Sequence, residues 1–198
     1  MPRPREFNEA TVLDAAVQCF WSRGYEATSV RDLIEKTGLT GASLYNAFGD
    51  KRCFYQRALE HYIDVGIAAR IRRCEAMTPR EGIILFFDEI VKRSLEDPDH
   101  KGCMLVNAAL DVVPHDPGLQ KLVSGALAEI EAFFLRSVSA GQSDGTIKSS
   151  LPAKDLSSHL LGILIGVRVL ARVWADQKRL EGAIRPAMAL LDHPGDRA

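Results

Sequence analysis

The sequence predicts an all-α protein of about nine helices, with three short N-terminal helices as a helix-turn-helix head and longer ones as a body. Three observations lead there. Apolar residues recur at helical spacing along most of the chain, with no alternating strand pattern. Glycines, prolines and capping side chains fall where those periodic stretches end. One stretch, TGLTGASLYNAFGDK over residues 37–51, is rich in small and hydroxyl side chains and carries no charge from Thr37 to Gly49. A solvated helix face would normally carry Lys and Glu there.

The first helix is expected from Asn8 or Glu9 to Arg23, on Val12, Leu13, Ala16, Cys19 and Phe20, with Gly24 in the C-cap position. Thr28 is the expected N-cap of the second, ended by Gly38. The third runs from about Thr40 to Phe48. Asp50 caps a long fourth helix from Lys51 to about Glu75, shared by head and body. Pro79 opens a fifth, which reaches about Leu95. CMLVNAALDVV reads as a shorter helix stopped before Pro114. Two long helices follow, about 119–140 and 153–175, joined by the loop GQSDGTIKSSLP. A last helix, about 178–191, precedes a frayed HPGDRA tail.

With 198 residues, 46% of them hydrophobic, the chain can bury a substantial core. A formal net charge of −1 excludes a global basic field, so any nucleic-acid role needs a local surface. Residues 1–60 balance eight basic against eight acidic side chains, with Arg3 and Arg5 a candidate flexible arm. Cys19, Cys53, Cys74 and Cys103 are too dispersed for a disulfide framework. The apolar run Leu160–Leu170 is shorter than the roughly 20 residues of a membrane span. A cytoplasmic protein with no membrane association is expected.

At about 100° per residue, Leu44 and Phe48 share one face of the third helix with Gly41 beside them. Ala42, Ser43 and Asn46 occupy the opposite face, and Tyr45 lies at the edge. A bulky anchor face backed by a small, weakly polar one suits a helix that lies in the DNA major groove. Small residues allow close backbone approach, while hydroxyls, an amide and a phenol can meet bases and phosphates. A plain helical hairpin would use the same turn.

The run from Thr28 to Lys51, TSVRDLIEKTGLTGASLYNAFGDK, closely resembles the DNA-binding domain of TetR-family transcriptional regulators. AAVQCFWSRGYEATSV, before and overlapping it, is similar to that family's first helix and Gly-Tyr-x-x-Thr turn, and the likeness covers about residues 8–60. The resemblance implies a DNA-binding domain over 1–52 and a ligand-binding and dimerisation domain over 53–198. It implies a homodimer on a double-stranded operator, most often a repressor released by a small-molecule effector. Carried over by position, Thr28 and Arg31 would contact phosphate or neighbouring bases, and Thr40 the turn and the DNA backbone. Gly41, Ala42, Ser43 and Asn46 would face bases, and Tyr45 and Lys51 would clamp phosphates. No cofactor or resident metal is expected.

In the body, candidate pocket residues are Phe86, Phe87, Cys103, Met104, Asn107, Phe133, Phe134, Leu161, Ile165 and Trp174, although core and pocket look alike in sequence. GCMLVNAALDVVPHDP is similar to a segment in one group of TetR-like regulators, some of which sense oxidants or electrophiles through a cysteine placed like Cys103. That thiol opens a helix next to His100 and Lys101; equally, it suits a small core residue. His100, Cys103 and His115 form a weak ligand pattern for a metal-responsive alternative. Leu161, Gly162, Ile165, Gly166 and Val169 are expected at the dimer interface, and Arg168 to pair with an acid across it in preference to contacting an anionic ligand. A helical interaction module without DNA binding, and an enzyme with Cys103 as nucleophile, are the rival readings. Neither an oxyanion site nor a third positioned group supports the enzyme.

Overall fold

A computed structural model describes residues 7–193, and among them every regular element is helical. Helix α1 spans Glu9–Arg23, α2 Val30–Thr37 and α3 Gly41–Phe48. Helix α4, Lys51–Tyr62, runs through a π-helical turn, Ile63–Ala68, into α5, Ala69–Glu75. Helices α6 (Pro79–Leu95), α7 (Met104–Asp111), α8 (Pro117–Asp144), α9 (Ala153–Val173) and α10 (Gln177–Asp192) complete the body, with a 3₁₀ turn at Val113–His115. The long helix expected over 51–75 is thus one rod with a widened turn at its centre. Arg3 and Arg5 lie outside the described residues.

The head closes around aromatic residues that α1 and α4 bring together. The Phe48 and Phe54 rings stack at 4.3 Å, and Phe20 meets Tyr55 edge-on at 5.0 Å. Leu33 of α2 and Leu44 of α3 are fully buried against this cluster. Burying a side chain of this size contributes about 1.5–3 kcal/mol, enough to hold short helices that would not persist alone in water.

The body core is built on Phe86 and Phe87 of α6 and Phe133 and Phe134 of α8, all buried, with rings 5.2–6.1 Å apart. Helix α9 packs along α8, and α10 covers α9 and α6. Close packing of α6 on α5 depends on Gly82, where a Cβ would lie 2.5 Å from the Cys74 carbonyl oxygen. Helix α9 is long and apolar enough by composition to cross a membrane, although residues 160–170 alone are not. In this fold 39% of its most apolar stretch is buried, with Leu156, Leu160, Leu164 and Val167 facing the core.

Besides the shared rod, polar contacts among the described residues tie head to body. Arg52 at the start of α4 makes a two-pronged ion pair with Asp116, Nε to Oδ2 at 2.6 Å and Nη2 to Oδ1 at 2.8 Å. Asp116 is also the N-cap of α8, accepting from the Gly118 and Leu119 amides. Trp21 of α1 donates its indole N–H to the Lys101 carbonyl at 3.1 Å. Its ring meets Tyr62 edge-on and lies beneath the cations of Lys101 and Arg93.

Candidate nucleic-acid interface

The helix-turn-helix is built by local hydrogen bonds that the sequence supplies in order. Ser29, one residue past the expected Thr28, caps α2: the Asp32 amide donates to its Oγ at 3.1 Å, and the Ser29 amide donates back to Asp32 at 2.8 Å. These bonds from Ser29, with Arg23 beside them, hold the Asp32 carboxyl down at about 2. Gly38 ends α2 in the left-handed region at φ 72°, where a side chain would be strained. Thr40 then caps α3, accepting from the Ser43 amide at 3.2 Å, and its hydroxyl donates to Ser43 Oγ at 3.0 Å.

Leu44 and Phe48 turn inward, leaving Thr40, Ala42, Tyr45 and Asn46 exposed on the outer side of α3. Tyr45 is 52% exposed, unusual for a ring of its size in a protein with ample core. Arg31 on α2 is exposed as well, and so is Lys36, which the sequence reading did not single out. Its signal was only that of an ordinary surface lysine.

Three expected DNA contacts are placed differently. Thr28 is completely buried, and its hydroxyl donates to the Gly24 carbonyl at 2.7 Å, so it fastens the α1–α2 turn instead of reaching a phosphate. Gly41 faces α2: a Cβ there would lie 3.3 Å from Ile34 Cδ1, so its smallness serves helix approach. Lys51 is half-buried, donating to the Glu26 carbonyl at 3.3 Å with its ammonium 4.4 Å from the Tyr25 ring centre. Ser43 is also half-buried.

The body holds a small cavity of about 30 Å³, room for about one water, lined in part by Tyr62, Ile67, Phe86, Cys103, Ile165 and Arg168. Of the expected pocket residues, Phe86, Cys103 and Ile165 therefore reach it. Phe87, Phe133 and Phe134, turned into the aromatic cluster, and Met104, buried in the core, are not part of its lining. Asn107 is drawn to the Lys101 carbonyl at 3.1 Å. Trp174 stands 48% exposed, with the Arg179 guanidinium 4.4 Å from its ring centre, and lines no part of the cavity. Arg168 does not face outward to a partner acid. It is buried, donating to Ser94 Oγ at 2.7 Å and to the Gly102 carbonyl.

Cys103 is the N-cap residue of α7, half-buried, and the Tyr62 hydroxyl donates to its sulfur at 3.6 Å. Burial pushes the Tyr62 phenol well above its ordinary value, so it remains a donor. The Lys101 ammonium is held by Asp97 at 2.8 Å and Asp99 at 3.1 Å instead of facing the thiol. His100 is exposed with φ 50°, and His115 is exposed beyond α7. Among the described residues no three His, Cys, Asp or Glu side chains converge as a metal site.

Of the residues expected at a dimer interface, Gly162, Gly166 and Val169 are exposed on α9, while Leu161 and Ile165 lean toward the body. A Cβ on either glycine would meet nothing within 4 Å, so nothing in the described chain accounts for their smallness. Leu135 of α8 is also exposed, at 38%.

Residues 12–58 match the family described as bacterial regulatory proteins, tetR family, and residues 80–187 match the tetracyclin repressor-like C-terminal domain. The chain is 31% identical over 195 residues to the HTH-type transcriptional regulator YezE of Bacillus subtilis, covering 97% of this chain and 100% of that protein. It is 27% identical over 180 residues to the HTH-type transcriptional repressor ComR of Escherichia coli, covering 90% of this chain and 86% of that one. Among solved structures it is similar to a cysteine-substituted form of the TetR-family regulator CifR complexed with 26-base-pair operator DNA. The TM-score is 0.83 at 30% identity, covering 94% of this chain and 98% of that one.

Proposed function

Since the chain belongs to the TetR family of bacterial transcriptional regulators, DNA-binding proteins rather than enzymes, we propose that it is a cytoplasmic homodimeric repressor released from a near-palindromic operator by a small molecule or by thiol-reactive chemistry. The observation that carries this reading is the outer side of α3: Ala42, Tyr45 and Asn46 exposed and uncharged on a helix anchored by Leu44 and Phe48. Asn46 is suited to an adenine edge and Tyr45 to a phosphate, with Arg31 and Thr40 flanking them. The backbone of Gly41 and the half-buried Ser43 and Lys51 lie at the rim of this surface. ComR is a repressor and CifR has been seen on operator DNA, which supports the same assignment here.

Residues 1–52 act as the DNA-binding unit and 53–198 as the effector and dimer unit, coupled through the rod from Lys51 to Glu75. The second copy docks on the exposed faces of α8 and α9, where Gly162 and Gly166 permit close helix approach. Effector binding moves the rod so that the two heads no longer match successive half-sites. The effector must therefore prefer the form that does not bind DNA. Cys103 is the thiol placed to take part, because it lines the cavity and accepts from Tyr62. Cys19 and Cys74 are buried, and burial pushes both thiols up.

Selection of random DNA fragments by the purified protein, followed by sequencing, tests the reading. Enrichment of an inverted repeat is expected. No enrichment at low salt with reductant present would overturn it. Release of that DNA by an electrophile, lost in Cys103→Ala and retained in Cys53→Ala, is the expected signature of the thiol route; unchanged release in Cys103→Ala removes it.

A further inference from the structure

Among the described residues, Arg168 is a charge without a counter-charge. It is 5% exposed, deep in the body, and lines the cavity. Its two described partners, the Ser94 hydroxyl and the Gly102 carbonyl, are neutral. Its Nε–H is buried with no hydrogen-bond partner. Burying a guanidinium away from water is costly unless an anion compensates, and an unmade hydrogen bond adds to that cost. The cavity's other arginines differ. Arg70 is paired with Glu89 at 3.0 Å, and Arg93 is exposed to solvent with its guanidinium over Trp21's ring. One uncompensated positive charge therefore faces a wall of Phe86, Ile90, Leu127, Ile130 and Leu164.

We infer that the effector is an apolar monocarboxylate, its carboxylate bound side-on by Arg168 and its hydrocarbon body among the aliphatic and aromatic residues of the cavity. This rests on the reading that the body carries an effector site. A carboxylate matches the free Nε edge of a guanidinium with two parallel acceptors, and one negative charge balances the one that is unpaired. At about 30 Å³ the cavity must widen to take it. The walls that must move include Tyr62 and Arg70, which flank the π-helical turn of the rod, and Ile67 within it. A carboxylate also competes with the Gly102 carbonyl for Arg168, and the next carbonyl upstream, that of Lys101, holds Trp21 of the head. The same event thus acts on the rod and on the strap that fastens α1.

Calorimetric titration of the full-length protein with butyrate, hexanoate, decanoate and benzoate, each beside its primary amide, tests this. At least one acid should bind at least about tenfold more tightly than its amide. Arg168→Gln should abolish the preference and Arg168→Lys restore part of it. The acid-over-amide comparison on the unmodified protein stands even where the variants fail to fold. No binding of any acid, or equal binding of acid and amide, overturns the inference. The same acids are then added to the protein on its selected DNA. Acid-selective binding without DNA release would leave the carboxylate site standing and remove its coupling to DNA. DNA release by the amides but not the acids would overturn the carboxylate site while leaving the regulator reading intact.

Discussion

Tyr45 and Asn46 carry large polar side chains at exposed positions where they make no side-chain hydrogen bond or ion pair among the described residues. Replacing either with Ala should leave the melting temperature unchanged and weaken operator binding by about 1–3 kcal/mol, which anisotropy titration beside calorimetry will read. Thr28 should behave in the opposite sense. Thr28→Val removes the hydroxyl that caps Gly24, so stability falls by about 1 kcal/mol and DNA affinity only indirectly. Asp116 links residue chemistry to pH. Its bonds to Arg52 and to the α8 amides hold its carboxyl at about 2, below the usual 3.8. Its stabilising contribution is complete above the ordinary carboxylate value and disappears as pH falls through 2. Thermal melts should show Asp116→Asn losing less stability than the unmodified protein between about pH 4 and pH 2.

At the scale of elements, α9 serves two surfaces. Leu156, Leu160, Leu164 and Val167 fill the body core, and Gly162, Gly166 and Val169 face outward. Leu at both 162 and 166 has room in the isolated chain, so the fold should persist, with helix propensity if anything improved. Light scattering is then expected to find a monomer at micromolar concentration, where the unmodified chain is expected to be a dimer. A dimer that survives both substitutions would move the interface away from α9. Gly82 on α6 is the contrasting case. Gly82→Ala drives a methyl into the Cys74 carbonyl and should cost about 1–3 kcal/mol in denaturant unfolding. Both glycine types look alike in sequence; only their neighbours tell them apart.

For the whole molecule, the near-neutral chain carries the residues proposed to meet DNA on one side of the head, and phosphate contacts there would displace counterions. The logarithm of operator affinity should fall linearly with the logarithm of salt concentration, by about 0.9 for each phosphate neutralised, and a flat response would argue against phosphate contact. Much of this architecture was legible beforehand. The helical period, the cap at Asp50 and the stops at Gly24 and Gly38 are local, set by neighbours within about four residues, and so are written in order along the chain, although the cap expected at Thr28 falls one residue later at Ser29. By itself the sequence therefore determined an all-α fold, a helix-turn-helix head, and a third helix with Leu44 and Phe48 inward, Asn46 outward and Tyr45 at the edge. Only the tertiary structure decided that Thr28 and Arg168 turn inward, that Trp174 stands in solvent, that Arg52 reaches Asp116, and that Tyr62, Cys103 and Arg168 share one cavity. Those outcomes depend on which helices meet over separations of tens of residues. Periodicity says which face of a helix is buried but carries no information about what it is buried against.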